Sequence, residues 1–281
     1  SPWYASAKLI RQDDQGEWSD VLYKIAATSG SSETLLAIVD KTVSSLPEKI
    51  VQALPEAIAL HKAGKLREAE ALYLQVLNAQ PENKDALKLL ATAYSAQDRL
   101  IEADELFHIA IRLSPNDHTL LNNQACNYLA MGRPLDALDA LDDAIALSPF
   151  YTDAKYNRAN ALKQLDRFED ARDAYKSVLE LECNHSGALH NLGNTLKHLG
   201  ENNGALSCYQ KVLETNPEHI EANFSYAIMK NICGDYEGAM RSYERLISLE
   251  PMHAKGLVNK ALLHLLCGDY GEGWKLYEWR L

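Results

Sequence analysis

Small and apolar residues return along this chain with a period of 34 residues: Ala69, Ala103, Ala137, Ala171, Ala205 and Ala239. Twelve residues before each of them stands another small residue, Ala57, Ala91, Ala125, Ala159, Gly193 and Ala227, with Ala261 continuing the series ahead of Gly273. Four residues after each comes a bulky one, Tyr73, Phe107, Leu141, Tyr175, Tyr209 and Tyr243, with Tyr277 following Gly273. Between the two small positions lies Gly64, Gly132, Gly200, Gly234 or Gly268, and Asp98 or Asp166 in the remaining two periods. A helix must end there and the chain turn back. Pro81, Pro115, Pro149, Pro217 and Pro251 fall twelve residues after the alanines and stop a second helix, with Cys183 breaking the series. Each period therefore predicts two helices joined by a tight turn.

Small residues that face each other let two antiparallel helices approach closely, and the bulky residue fills the space toward the next hairpin. No single hairpin can bury its apolar face alone, so stacking has to bury a continuous core in which each unit depends on its neighbours. Seven units are expected, starting near residues 50, 84, 118, 152, 186, 220 and 254, with the last incomplete. Residues 1–49 lie outside the rhythm. Within them Trp18–Ala27 and Glu33–Ser44 have helical spacing of apolar residues around the break Thr28–Ser32, and are expected to form a helical capping or linker region.

Composition narrows the function. The 281 residues are 47% hydrophobic and 24% charged, as in an ordered helical protein. A net charge of -11 argues against a nucleic-acid partner, which draws on clustered Lys and Arg. No apolar run approaches a membrane span, and Trp3, Lys8, Arg11, Asp13 and Asp14 interrupt any signal-peptide core. Five cysteines without a framework suggest reduced thiols in a cytoplasmic protein.

Catalytic and metal signatures are missing, so no cofactor, metal or catalytic residue is expected. His190 and His198 share a helix but stand about 12 Å apart along its axis, too far to share one ion. The string Gly268–Gly273 resembles a glycine-rich phosphate loop, yet Gly268 falls at the hairpin turn and Gly273 at the packing-alanine position. Asn184-His185-Ser186 and Asn223-Phe224-Ser225 are formal glycosylation sequons.

The pattern resembles the tetratricopeptide repeat, most fully over residues 189–217, LHNLGNTLKHLGENNGALSCYQKVLETNP. The resemblance implies an all-α, right-handed α-solenoid of helix-turn-helix units. It also implies a concave groove lined by the fifth, ninth, twelfth and thirteenth residues of each unit. In the fourth unit these are Tyr156, Asn160, Lys163 and Gln164; in the fifth they are His190, Asn194, Lys197 and His198. Asn can donate to and accept from a peptide backbone and Lys can meet a carboxylate, so this stretch is a candidate site for a peptide or an anionic group. Polar residues simply tolerated on an open face are the alternative. In the sixth and seventh units the groove turns apolar, with Phe224, Ile228, Ile232, Val258, Leu262, Leu265 and Leu266.

A ladder of asparagines occupies the sixth position: Asn123, Asn157, Asn191 and Asn259, with Ser225 interrupting. It is similar to the ladder with which O-linked N-acetylglucosamine transferases hold a peptide backbone, but asparagine is frequent at this position across tetratricopeptide repeats, where it satisfies polar atoms between helices, and that structural role is the preferred reading. Relative to chaperone-tail-binding members, Asn160 and Asn194 match, but Tyr156, His190 and Phe224 replace the basic residue of the clamp. Finally, residues 267–281 resemble the last repeat of bacterial proteins in which a glycosyltransferase domain follows. Residues 2–12 and 16–26 resemble the last strand and helix of such a domain. The expected role is a protein-binding scaffold, or the substrate-recognition module of a larger bacterial glycosyltransferase.

Overall fold

The structure is a computed structural model, and residues 52–280 are described. Fourteen α-helices and a closing 3-10 turn account for most of them, with no strand among the described residues. They fall into two compact bodies that divide between Leu113 and Ser114. The first holds α1 (52–62), α2 (Leu66–Ala79), α3 (Lys84–Ala96) and α4 (Leu100–Leu113). The second holds α5 (His118–Ala130), α6 (Pro134–Leu147), α7 (Thr152–Gln164), α8 (Phe168–Leu181) and α9 (Ser186–His198). It continues with α10 (Asn202–Thr215), α11 (Ile220–Ile232), α12 (Tyr236–Leu249), α13 (Ala254–Leu266) and α14 (Tyr270–Tyr277). Odd-numbered helices open a hairpin and even-numbered ones close it. Residues 1–49, with the expected capping helices and all of the transferase resemblance in residues 2–26, lie outside the described residues.

The alanine period is the seam of each hairpin. Ala57, Ala69, Ala91, Ala103, Ala125, Ala137, Ala159, Ala171, Ala205, Ala227, Ala239 and Ala261 are all completely buried, so paired helices meet backbone to backbone. At Gly193 the approach leaves room only for glycine, since a Cβ there would lie 2.6 Å from Cε1 of Tyr209. Tyr73, Tyr175, Tyr209 and Tyr243 are fully buried four residues along, each ring stabilising the stack by about 2–3 kcal/mol through burial. From α3 onward each opening helix packs on its own partner and on the closing helix before it within the same body. In the second body neighbouring opening helices also touch, which sets α5, α7, α9, α11 and α13 side by side on one face.

The turns explain the two aspartates in the glycine series. Gly64, Gly132, Gly200, Gly234 and Gly268 have φ between 70° and 85°, and Asp98 and Asp166 adopt φ of 63° and 55°. This left-handed residue lets the next amide reach back to the last turn, as Arg99 N–H does to Tyr94 O at 2.9 Å and Arg167 N–H to Leu162 O at 3.0 Å. Gly268 is thus a helix stop. Gly273 is buried, and a Cβ there would lie 2.5 Å from Leu265 Cδ2, so the Gly268–Gly273 string is packing chemistry.

Candidate functional site

The face made by the opening helices carries its most polar chemistry on α7 and α9. Buried closing-helix tyrosines reach it from below: Tyr175 donates its hydroxyl hydrogen to Asn160 Oδ1 at 2.6 Å, and Tyr209 donates to Asn194 Oδ1 at 2.7 Å. Burial raises both phenols well above their ordinary range, so they stay protonated donors. Asn191 Nδ2 then donates across hairpins to Asn160 Oδ1 and to Tyr156 Oη, both at 2.9 Å, and Lys163 Nζ donates to Asn191 Oδ1 at 3.2 Å. Four side chains of the sequence-derived candidate set, Tyr156, Asn160, Lys163 and Asn191, therefore belong to one network with Tyr175. Asn160 and Asn194 thus each carry one bond to their carbonyl oxygen from within the fold.

The sixth-position side chains do the cross-linking. Asn157 Nδ2 donates to Asn122 Oδ1 at 2.9 Å and approaches Cys126 Sγ at 3.2 Å, joining α7 to α5. Asn191, Ser225 and Asn259 each stand within hydrogen-bonding reach of the tyrosine hydroxyl of the preceding hairpin, Tyr175, Tyr209 and Tyr243. Ser225, which interrupts the asparagine series in sequence, reaches the same type of partner in space. Asn123, the first of the series, is half-buried on α5.

Histidines line one edge of this face. His185, His219 and His253, each just before an opening helix, accept at Nδ1 from the backbone amides of Ala188, Ala222 and Gly256 at 3.1, 3.2 and 2.9 Å. Each also packs against the fifth residue of the preceding hairpin: His185 on Tyr156 at 4.8 Å between centroids, His219 on His190 at 5.6 Å, and His253 on Phe224 at 5.0 Å. Burial pushes His190 down to about 4, and His219, Lys163 and Lys197 push the same way against Glu221. Its Nδ1 is shut off from water without a hydrogen-bond partner. Spacing alone marked His190 as groove-lining; the capping histidines were missed, although their 34-residue interval is present in the sequence.

Lys163 and Lys197 sit on adjacent helices, both half-buried, and neither meets a carboxylate among the described residues. Burial holds the Lys163 amine below its ordinary value. Gln164 and His198 are exposed at the helix ends, where His198 stacks on Phe168 at 4.7 Å. Phe224 and Ile228 are half-buried against the core around Tyr243, whereas Leu262 is 45% and Leu266 62% exposed. The sequon residue Asn223 is buried, its Nδ2 donating to Pro217 O and His219 O, so no glycan fits there. Among the described residues no cluster of three or more His, Cys, Asp or Glu side chains could hold a metal, and no helix is long and apolar enough to cross a membrane.

Family models of the tetratricopeptide repeat match residues 54–118, 122–182 and 187–219. The chain belongs to the tetratricopeptide repeat family. Among solved structures, this tetratricopeptide array is similar to Pseudomonas aeruginosa PilF, with a TM-score of 0.64 and 18% identity over 74% of this chain and 94% of PilF. A tetratricopeptide repeat protein of Parabacteroides merdae matches with a TM-score of 0.65 and 18% identity over 82% of this chain and 91% of its own. YrrB, described as having an unusual peptide-binding site, matches with a TM-score of 0.54 and 21% identity over 67% of this chain and 97% of its own. At such identities the likeness is one of fold. No curated protein sequence matches. These comparisons concern the repeats and bring no glycosyltransferase to the chain.

Proposed function

We propose that the opening-helix face of the fourth to seventh hairpins binds an extended, carboxylate-bearing peptide segment of a partner protein. The chain then acts as a non-catalytic interaction scaffold. The observation that supports this most is the pair Lys163 and Lys197: in a chain of net charge -11, two half-buried cations on adjacent helices lack any carboxylate partner among the described residues. A partly desolvated cation without an acid gains from a ligand that supplies one. Beside the lysines the tyrosine-asparagine network fixes the polar rungs, and the apolar surface at Leu262 and Leu266 offers contact to side chains further along. The peptide-binding site ascribed to YrrB makes this use of the fold a natural one. The free cysteines suit a reducing, cytoplasmic setting.

The test is a fluorescence-anisotropy screen of labelled acidic and neutral peptides against the chain and its Lys163→Ala/Lys197→Ala variant. We expect acidic peptides to bind and the variant to lose about ten-fold or more in affinity, or roughly 1.4 kcal/mol. Equal binding by the variant would sink the proposal. A second reading, substrate recognition for an adjoining glycosyltransferase domain, is supported by apolar surface on the last hairpin, where Tyr270 and Trp274 are 64% and 59% exposed. A coding sequence without a transferase domain on either side would remove it.

A further inference from the structure

The residue before each opening helix has one task, because the first amides of a helix have no partner within it. Tyr151 before α7 makes no side-chain cap, and the other caps described from α3 onward are of two chemically different kinds. Asn83 Oδ1 accepts from Ala86 N–H at 3.0 Å, and Asp117 Oδ1 accepts from Thr119 and Leu120 N–H at 2.9 and 3.1 Å. His185, His219 and His253 do it with an imidazole nitrogen. An amide oxygen accepts at any pH of interest and a carboxylate down to mildly acidic pH, whereas Nδ1 accepts only while it carries no proton. Protonation converts the acceptor into a donor aimed at another donor and sets a cation at the positive end of the helix dipole.

We infer that His185, His219 and His253 form an acid-labile set of helix caps, so that acidification loosens the starts of α9, α11 and α13 while those of α3 and α5 stay capped. The surroundings of the three rings favour such a device. Tyr156 from α7 faces His185 and Phe224 from α11 faces His253; among the described residues neither histidine has a carboxylate within ion-pairing distance to hold its protonated form. His219 is different, because Glu221 Oε2 lies 3.3 Å from its Nδ1 and can take the new N–H away from Ala222. His190 from α9 stacks on that ring at an interplanar angle of 14°, with Tyr209 from α10 beside it at 5.7 Å and Lys163 and Lys197 acting on it. A charge on His219 therefore meets the stacked His190 ring on one side and Glu221 as its acidic outlet on the other. Tyr156, His190 and Phe224 belong to the proposed peptide face, so releasing the capping rings also alters that surface.

Amide hydrogen exchange of the whole chain at pH 7.5 and pH 5.5, corrected for intrinsic rates, tests the inference without any ligand. Its outcome is thereby separate from that of the peptide experiment. Protection at Ala188, Ala222 and Gly256 is expected to fall about three- to ten-fold relative to Ala86 and Leu120, the size of a lost cap. A uniform change, or none, overturns the proposal. The triple variant His185→Asn/His219→Asn/His253→Asn should keep its protection at both values, since Asn83 already caps the equivalent turn. If the variant still loses protection selectively in acid, the histidine caps are not the cause.

Discussion

At the scale of single residues, the chain shows where its repeat tolerates substitution at a cost. Asp166 occupies a left-handed turn that five other hairpins give to glycine. An L-side chain in that region is strained, so Asp166→Gly should raise stability by about 0.5–1 kcal/mol, despite the greater freedom of glycine in the unfolded chain. A lowered or unchanged urea midpoint would show that the aspartate makes good its strain. His190 gives a pH dependence whose sign is fixed by burial. Its folded pKa is lowered to about 4 from 6.5, so the neutral ring favours the fold. The contribution is complete above pH 6.5 and drains away as pH falls toward 4, by on the order of 1–3 kcal/mol. Phe224 holds the equivalent position two residues after Ala222, so His190→Phe should keep the stacking and flatten that part of the stability curve; an unaltered slope would acquit His190. Both residues were legible in the sequence as positions. The protonation state was not, since it depends on the closeness of Tyr209 and His219, which no spacing reveals.

Among elements, hairpin boundaries were the most readable feature, because glycine, aspartate and proline act through their own backbone. The side-chain network was only half readable. Counting placed Asn160 and Asn191 on one face, but which atom each engages depends on a tyrosine hydroxyl arriving from beneath α7. That arrival is set by the contact of the alanine seam. The Tyr175 hydroxyl links a closing helix to its own opening helix and, through Asn160 and Asn191, to the next hairpin. Tyr175→Phe keeps the buried ring and removes this donor, so we expect about 1 kcal/mol of destabilisation in urea unfolding. A loss below a few tenths would mean that the rungs add little to ring burial. Ion pairs at the closing-helix starts, such as Arg133–Asp136 and Arg167–Asp170, lie at the surface and should contribute only a few tenths each.

For the molecule as a whole, acidity and groove chemistry pull in opposite directions. The surplus of 39 acidic over 28 basic residues repels anionic partners at long range, while the proposed peptide face offers Lys163 and Lys197 to a carboxylate at contact. Association of an acidic peptide should therefore be governed by contact more than by steering, and salt should weaken the bound state without strongly slowing capture. A capture rate that falls steeply with salt in stopped-flow measurements would contradict this. The tyrosine fasteners carry another consequence. Because Asn191, Ser225 and Asn259 stand within reach of equivalent hydroxyls one hairpin back, these three joints are built alike, whereas Phe107 and Leu141 bring no hydroxyl to the earlier ones. Excising residues 186–219 would bring Ser225 to Tyr175 in the place of Asn191, closing the seam with the same kind of bond. From the fourth hairpin onward the array can thus change length by a whole unit, through duplication or loss, and still find the same partner types at the new joint.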